Sequence, residues 1–233
     1  MCNNSCRFLL KDTLSDKHNL IILVLDIIIC YKEYAMNTTA TTIDYYNINA
    51  DIFVATTASV DFRALQETIM TYLPSHAAVL DVGCGSGRDS LAFLQAGHEV
   101  TAIDGSHVMC AHASRLLGHP VICTTFEDYR PNRFYNGIWA CASLLHLEWE
   151  ALIRVMQTLS DCLLSGGCFY ASFKYGNTDE MRNGRFFTDM TERRFNNVLH
   201  ALPDLHLDRQ FITGDARPNR AHEKWLNVFL IKR

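Results

Sequence analysis

Residues 79–106 read VLDVGCGSGRDSLAFLQAGHEVTAIDGS. The order of residue types in this stretch decides the fold. Ala78-Val79-Leu80 is a short apolar run of the kind a buried strand uses, and it leads into Asp81-Val82-Gly83-Cys84-Gly85-Ser86-Gly87. Arg88 to Ala96 reads as a helix stopped by Gly97, and Glu99 to Ile103 as a second strand ending at Asp104. Ser106 can cap a helix that runs to Gly118. A strand, a glycine loop and a helix N-terminus in succession is how α/β folds hold nucleotide-like ligands. Glycines let the backbone approach such a ligand with no Cβ in the way. A dinucleotide site needs G-x-G-x-x-G, but here Gly83, Gly85 and Gly87 are followed by Arg88 where that third glycine would stand. The P-loop pattern is absent, since no Gly-Lys-Ser/Thr follows. Asp104, at the end of the next strand, can accept both hydroxyls of a ribose. The plainer role for such an Asp is a helix cap, and Ser106 is better placed for that.

Outward from this stretch, strand and helix patterns alternate. Asp61 can cap a helix carrying Phe62, Leu65, Ile69 and Leu73, with Pro74 after its end. Val121 to Cys123 reads as a third strand, and Ile138 to Ala142 as a fourth, wholly apolar as strands buried on both faces are. A helix from about Glu148 to Leu163 puts Leu152, Val155, Met156 and Leu159 on one face. Ser165-Gly166-Gly167 breaks it, and Cys168 to Phe173 is a fifth strand. Lys174 to Phe187 is polar, contains Gly176 and Gly184, and reads as a long loop. Thr188 to Leu202 is an amphipathic helix closed by Pro203. Leu205 to Thr213 and Trp225 to Ile231 then form two strands with no helix between them, so the last should be antiparallel. The expected fold class is α/β: a doubly wound, seven-stranded Rossmann-like sheet, mostly parallel with an antiparallel last strand.

Composition sets the outer bounds. The chain has 233 residues, 48% hydrophobic and 20% charged, with a net charge of −4. That balance speaks against a nucleic-acid surface, although a local basic patch stays open. Nine cysteines are scattered with no C-x-x-C pair and no zinc-ligand spacing. They read as free thiols in a reducing, cytoplasmic setting, with no metal site. Leu20 to Cys30, LIILVLDIIIC, is shorter than the about 20 apolar residues a bilayer needs and contains Asp26. Asp12 and Asp16 before it do not suit a secretory signal. Residues 1–35 are therefore expected to be a non-native or disordered extension ahead of Met36, and 36–233 a single domain. No membrane association is expected, and the domain is expected to be a monomer.

The stretch 79–106 resembles the first two motifs of class I S-adenosylmethionine-dependent methyltransferases. The resemblance continues through GIWACASLLHL (137–147) and LLSGGCFYASF (163–173) and covers about residues 43 to 233. Within that family the chain is most similar in look to small stand-alone bacterial enzymes of the tellurite-resistance type. The resemblance implies S-adenosyl-L-methionine as cofactor and a set of roles. Asp81 would orient the loop and reach the methionine amine through water. The backbone of Gly83 would contact the same amine, with Cys84, Gly85 and Gly87 completing the loop. Asp104 would bind the ribose diol, with Gly105 and Ser106 beside the adenine. Thr125, Phe126 and Glu127 follow the third strand, where the family reads the adenine edge. Many members have an Asp there, so the backbone of Phe126 and the carboxylate of Glu127 stand in. Cys141 and Ala142 would line the methionine end, and Tyr46, in Tyr45-Tyr46-Asn47-Ile48-Asn49, would sit in an N-terminal lid; the start of a surface amphipathic helix is the plainer alternative for that segment. Arg88 opposes the helix dipole, so it calls for a partner: the cofactor carboxylate, Asp89 or Glu127.

His146 is the candidate catalytic base at a strand's C-terminal edge. A positioning role is the stronger reading, because aligning an activated methyl donor can suffice. Lys174, Tyr175, Arg182, Arg185, Phe186, Phe187, Arg217, Arg220 and Trp225 mix basic and aromatic groups, which suggests a small anionic or planar acceptor. A solvated basic loop is the plainer alternative. Three other functions remain: methylation of tRNA or protein, cofactor binding without catalysis, and a nicotinamide-dependent oxidoreductase. The missing third glycine and the terminal hairpin argue against the last.

Overall fold

The computed structural model describes residues 38–217, 220 and 222–233. At its centre is β1 (Ala78–Val82), with every residue buried. It pairs in parallel with β2 (Glu99–Asp104) on one side and β4 (Tyr135–Ala140) on the other. The sheet extends through β3 (Ile122–Cys123) at one edge. At the other it runs through β5 (Leu163–Lys174), β9 (Lys224–Lys232) and β8 (Leu205–Gly214), giving the order β3-β2-β1-β4-β5-β9-β8. β9 runs antiparallel to both β5 and β8. The expected seven-stranded sheet with an antiparallel last strand is the one observed.

Strand alternation divides the core between two faces. Leu80, Val82, Ile138, Phe169, Ala171 and Phe173 pack on α5 (Trp149–Asp161) through Leu152, Val155, Met156 and Leu159, and on α6 (Glu192–His200) through Phe195 and Val198. Val79, Trp139, Cys168, Tyr170 and Phe229 pack on the other face. There they meet Ile69 of α2 (Arg63–Met70) and Phe93 of α3 (Arg88–Gln95). Gly87, in a left-handed conformation at the start of α3, packs against Ala113 of α4 (His107–Leu117).

Three expectations change. Ser165-Gly166-Gly167 ends a helix in the sequence reading, but α5 stops at Asp161 and these residues lie within β5. The register against β4 slips between Tyr135 and Gly137, and Gly166 has φ +77°, so the pair forms an irregularity within the strand. The loop expected over Lys174 to Phe187 contains a hairpin, β6 (Asp179–Arg182) and β7 (Arg185–Thr188), turning at Asn183 (φ +51°) and Gly184 (φ +77°). Two positive φ values suit an Asn-Gly turn between strands. Finally, Tyr45 to Asn49, read as a lid or the start of a surface helix, lies inside a longer helix, α1 (Thr38–Thr57). Thr38–Arg233 forms one compact unit. The reading of residues 1–35 falls outside the described residues. Among those described, no helix is long and apolar enough to cross a membrane.

Candidate functional site

A cavity of about 390 Å³ opens at the C-terminal ends of β1, β2, β4 and β5, where open α/β sheets place their ligands. Gly83, Cys84, Gly85 and Ser86 form part of its wall. The loop is pinned to the sheet because Gly83 N–H and Cys84 N–H both donate to the Ile103 carbonyl, at 2.9 and 3.0 Å. Gly83 has φ +77°, and a Cβ there would stand 2.4 Å from Ser143 Cβ. Gly85 has φ +55° with nothing nearer than Met109 at 3.7 Å, so one glycine allows a close approach and the other leaves room. Gly87 lies off the wall, where it serves helix packing.

Asp104 sits on the wall at the end of β2. Its Oδ2 accepts from Gly85 N–H at 2.9 Å and its Oδ1 from Ser106 N–H at 2.8 Å. Burial pushes this carboxyl up, and the two backbone donors oppose that. Ser106 caps α4 by accepting from Met109 N–H at 3.2 Å, and its hydroxyl donates to Asn47 Oδ1 of α1 at 2.7 Å. Gly105 faces Ile43, which a Cβ would meet at 2.9 Å. Thr125 and Phe126 reach the wall. Glu127 does not, and it instead accepts from Thr39 Oγ1 of α1 at 3.0 Å.

Asp81 is also off the wall, buried behind the loop, where Ser90 Oγ donates to it at 2.6 Å. Burial and the neighbouring Asp89 push its carboxyl up to about 8. Arg88 finds the second of its three expected partners. Its guanidinium grips Asp89 with two bonds of 2.8 Å, donates to the Thr57 carbonyl at 3.2 Å and lies 4.0 Å over the Phe62 ring. Asp89 also accepts from Gln66 Nε2 at 2.7 Å and Trp139 Nε1 at 2.9 Å. This buried junction ties the loop helix to α2 and β4, and the sequence reading missed it. An acid in the first turn of a helix is common enough to carry no signal of its own.

Cys141 and Ala142 line the cavity beyond β4. Ala142 has φ +54°, unusual for a residue with a Cβ, and its N–H donates to Ser172 Oγ at 2.8 Å. Beside them Ser143 is buried on the wall, and its Oγ has no hydrogen-bond partner. The sequence reading missed Ser143 as well.

His146 follows in a 3₁₀ turn, Leu144–His146. Its Nδ1 lies 2.6 Å from the Phe186 carbonyl and its Nε2 2.9 Å from Tyr46 Oη. A carbonyl only accepts, so Nδ1 carries the proton and Tyr46 donates to Nε2. Burial pulls this imidazole down to about 4, with Arg185 and Arg182 adding to the effect. His146 is therefore neutral with both nitrogens in use, an arrangement that joins α1 to β7 and suits positioning better than proton transfer.

The far end of the cavity is basic. Lys174, Arg185, Phe187, Arg217, Arg220 and Trp225 line it, while Tyr175, Arg182 and Phe186 do not. Asp215 accepts from Lys174 at 3.2 Å, from Arg217 at 2.8 and 2.5 Å, and from Trp225 Nε1 at 3.1 Å. Burial raises the Asp215 carboxyl, but the hydrogen bonds from Arg217 and Trp225 outweigh it and hold the group well below the usual carboxylate range. Glu223 takes Lys174 and Arg220. Among the described residues no group of side chains is arranged to hold a metal ion.

Residues 79–167 match the family described as "Methyltransferase domain". A malonyl-[acyl-carrier protein] O-methyltransferase of Pectobacterium atrosepticum is 27% identical over 157 residues, 61% of this chain and 57% of that protein. The chain thus spans little more than half of that relative's length. The fold is similar to that of Burkholderia thailandensis 1,6-didemethyltoxoflavin-N1-methyltransferase, solved with 1,6-didemethyltoxoflavin and S-adenosylhomocysteine. The two superpose at a TM-score of 0.66, with 21% identity over 86% of this chain and 89% of the other. A TehB-like S-adenosylmethionine-dependent methyltransferase of Corynebacterium glutamicum gives 0.60, with 16% identity over 82% and 98%. The matched domain, the strand order and the glycine loop agree: residues 79–167 carry a methyltransferase domain, and the chain has the fold of S-adenosylmethionine-dependent methyltransferases.

Proposed function

We propose that this chain is an S-adenosylmethionine-dependent methyltransferase that methylates a small-molecule acceptor by in-line displacement, working as a cytoplasmic monomer. One observation carries the reading. The half-buried Asp104 carboxylate faces the same cavity as the Cβ-free backbone of Gly83 and Gly85. A ribose diol suits that carboxylate, which keeps lone pairs beyond those used by Gly85 and Ser106. The methionine end suits the cradle at Gly83, where the unpartnered Ser143 Oγ can bond a polar group. These residues therefore fit S-adenosyl-L-methionine, which supplies an already activated methyl group.

The chain's own part is to bind, orient and exclude water. Gly105 and Ser106 edge the adenine side with Thr125 and Phe126. Cys141, Ala142 and Ser143 border the methionine side. Tyr46, held on His146, closes α1 over both. Asp81 shapes the loop from behind, Gly87 and Arg88 fix the start of α3, and Glu127 anchors α1 through Thr39. The relatives named above act on an acyl-carrier-bound malonyl group and on didemethyltoxoflavin, by their names. An acceptor of modest size fits the cavity volume.

The test is direct. Calorimetry should find S-adenosylhomocysteine bound, and Asp104→Ala should weaken it by roughly 10-fold or more, the order expected when a charged group's hydrogen bonds are lost. Labelled-methyl transfer should then be screened over metabolites, oxyanions, tRNA and protein. Unchanged affinity in the variant would mean the ribose lies elsewhere, and labelling of tRNA or protein alone would replace the small-molecule reading.

A further inference from the structure

The wall of the cavity is bipolar. Asp61, Asp89 and Asp104 lie toward the glycine loop, where Arg88 is the cation. At the other end Lys174, Arg185, Arg217 and Arg220 gather around two carboxylates, Asp215 and Glu223. Three of those four cations are already partnered. Arg185 is the exception, since among the described residues no carboxylate pairs with it.

Arg185 is nonetheless built in. Its guanidinium lies 4.4 Å over the Tyr45 ring and 5.2 Å from that of Phe187. Its Nε is buried with no hydrogen-bond partner, and its Nη1 reaches only the Tyr46 hydroxyl, at 3.5 Å. Leaving a guanidinium donor buried and unmade is costly. A planar group packed against aromatic rings has also lost part of the freedom that binding would otherwise cost. Arg217 lies within electrostatic reach of the same Tyr46 hydroxyl, so the basic end is continuous with Arg185.

Among the described residues, every carboxylate and the imidazole on the wall already has a partner. Asp61 is engaged by Arg63, Asp89 by Arg88, Asp104 by backbone N–H groups and Asp215 by Arg217, and both nitrogens of His146 are used. An acceptor whose reacting atom needs no proton removed suits this wall.

We propose that the acceptor is a small molecule bearing a carboxylate or similar oxyanion, and that Arg185 anchors that anion beside Tyr46 and His146. The proposal rests on the methyltransferase reading for the word acceptor, but the anion site can be tested alone. Benzoate, indole-3-acetate and monomethyl malonate, each against its neutral amide, would be titrated into the protein with and without saturating S-adenosylhomocysteine. At least one carboxylate should bind about 10-fold or more tighter than its amide. Arg185→Gln should abolish that preference while still binding S-adenosylhomocysteine. Arg185→Lys, which keeps the charge and loses the fork, should retain a smaller preference, and it carries the comparison should the Gln variant fold poorly. Carboxylates binding no tighter than amides, or a preference that survives in Arg185→Gln, would overturn the proposal. A protein that binds no S-adenosylhomocysteine would instead overturn the cofactor reading, while the anion result stands or falls on its own.

Discussion

Gly83 shows how far a single residue decides the site. Its φ of +77° costs a residue with a Cβ roughly 1–2 kcal/mol, and the Cβ itself would stand 2.4 Å from Ser143 Cβ. Gly83→Ala should lower the thermal midpoint and weaken S-adenosylhomocysteine more than about 10-fold by calorimetry. Adding Ser143→Gly should recover part of the stability, because it removes the clash and leaves the backbone strain. Wild-type affinity in the single variant would show that ligand does not meet backbone there. His146 makes a second prediction. Its imidazole titrates near 6.5 in the unfolded chain and about 4 when folded. Between those values the unfolded chain binds more protons, so this share of stability is full above pH 6.5 and fades as pH falls toward 4. The share is up to roughly 3 kcal/mol. Asp81 works the other way. Its carboxyl rises from 3.8 to about 8 on folding, so its share is lost as pH climbs through that range. Denaturant titrations of wild type and His146→Gln separate the two: the wild-type advantage should shrink below pH 6.5. An advantage constant with pH would place the folded imidazole near its ordinary value. Asp104, Gly83 and Gly85 were legible because their types and spacing carry the chemistry. The junction of Asp89 with Gln66 and Trp139, and Ser143, were not, since such residues have many uses until partners are placed around them.

At the scale of elements, α1 differs from every other helix. It buries only Thr42 and Ala50 and leaves Ile48 and Ile52 exposed. Side-chain hydrogen bonds hold it instead: Thr39 to Glu127, Thr42 Oγ1 accepting from Phe186 N–H, Tyr46 to His146, and Ser106 to Asn47. Elements with few buried apolar contacts open at low free energy. Hydrogen exchange should therefore find α1 amides exchanging much faster than those of β1 and β4, and slowing at least several-fold with S-adenosylhomocysteine. Exchange in α1 that ignores saturating ligand would remove this helix from the site. The same lack of an apolar stripe explains why the sequence left Tyr45 to Asn49 open between a lid and a helix start and did not mark the full helix around it. The β6–β7 hairpin was missed for another reason. Asn183-Gly184 is a strong turn signal, but the flanking residues are mostly polar and do not alternate, so a loop reads equally well there.

The whole molecule behaves as one unit from Thr38 to Arg233, so a ligand of the cavity should stabilise all of it. At about 1,000 times its dissociation constant, S-adenosylhomocysteine should contribute about 4 kcal/mol. For a domain of this size that is a rise in melting midpoint of roughly 8–16 °C. NAD at the same concentration should leave the midpoint unchanged. The reverse result would restore the hydride-transfer reading that the glycine spacing sets aside. The mostly parallel sheet with its antiparallel last strand was legible at this scale because alternating elements and two late strands leave few unknotted arrangements, whereas the strand order came from the tertiary structure.

The sequence by itself determined the α/β class, the antiparallel last strand, the glycine loop and the acid opposite it. Each rests on local pattern or on residues whose chemistry is fixed by type. Only the tertiary structure decided what those residues touch. It turned Arg88 onto Asp89, gave both nitrogens of His146 to Phe186 and Tyr46, and placed Asp81 behind the loop with Ser90 as its partner. At the basic end it also left Arg185, whose Nε has no partner and whose Nη1 reaches only Tyr46, as the wall cation that no carboxylate pairs with among the described residues. Charge pairing and burial depend on which distant segments meet, and the spacing of residues along a chain does not contain that.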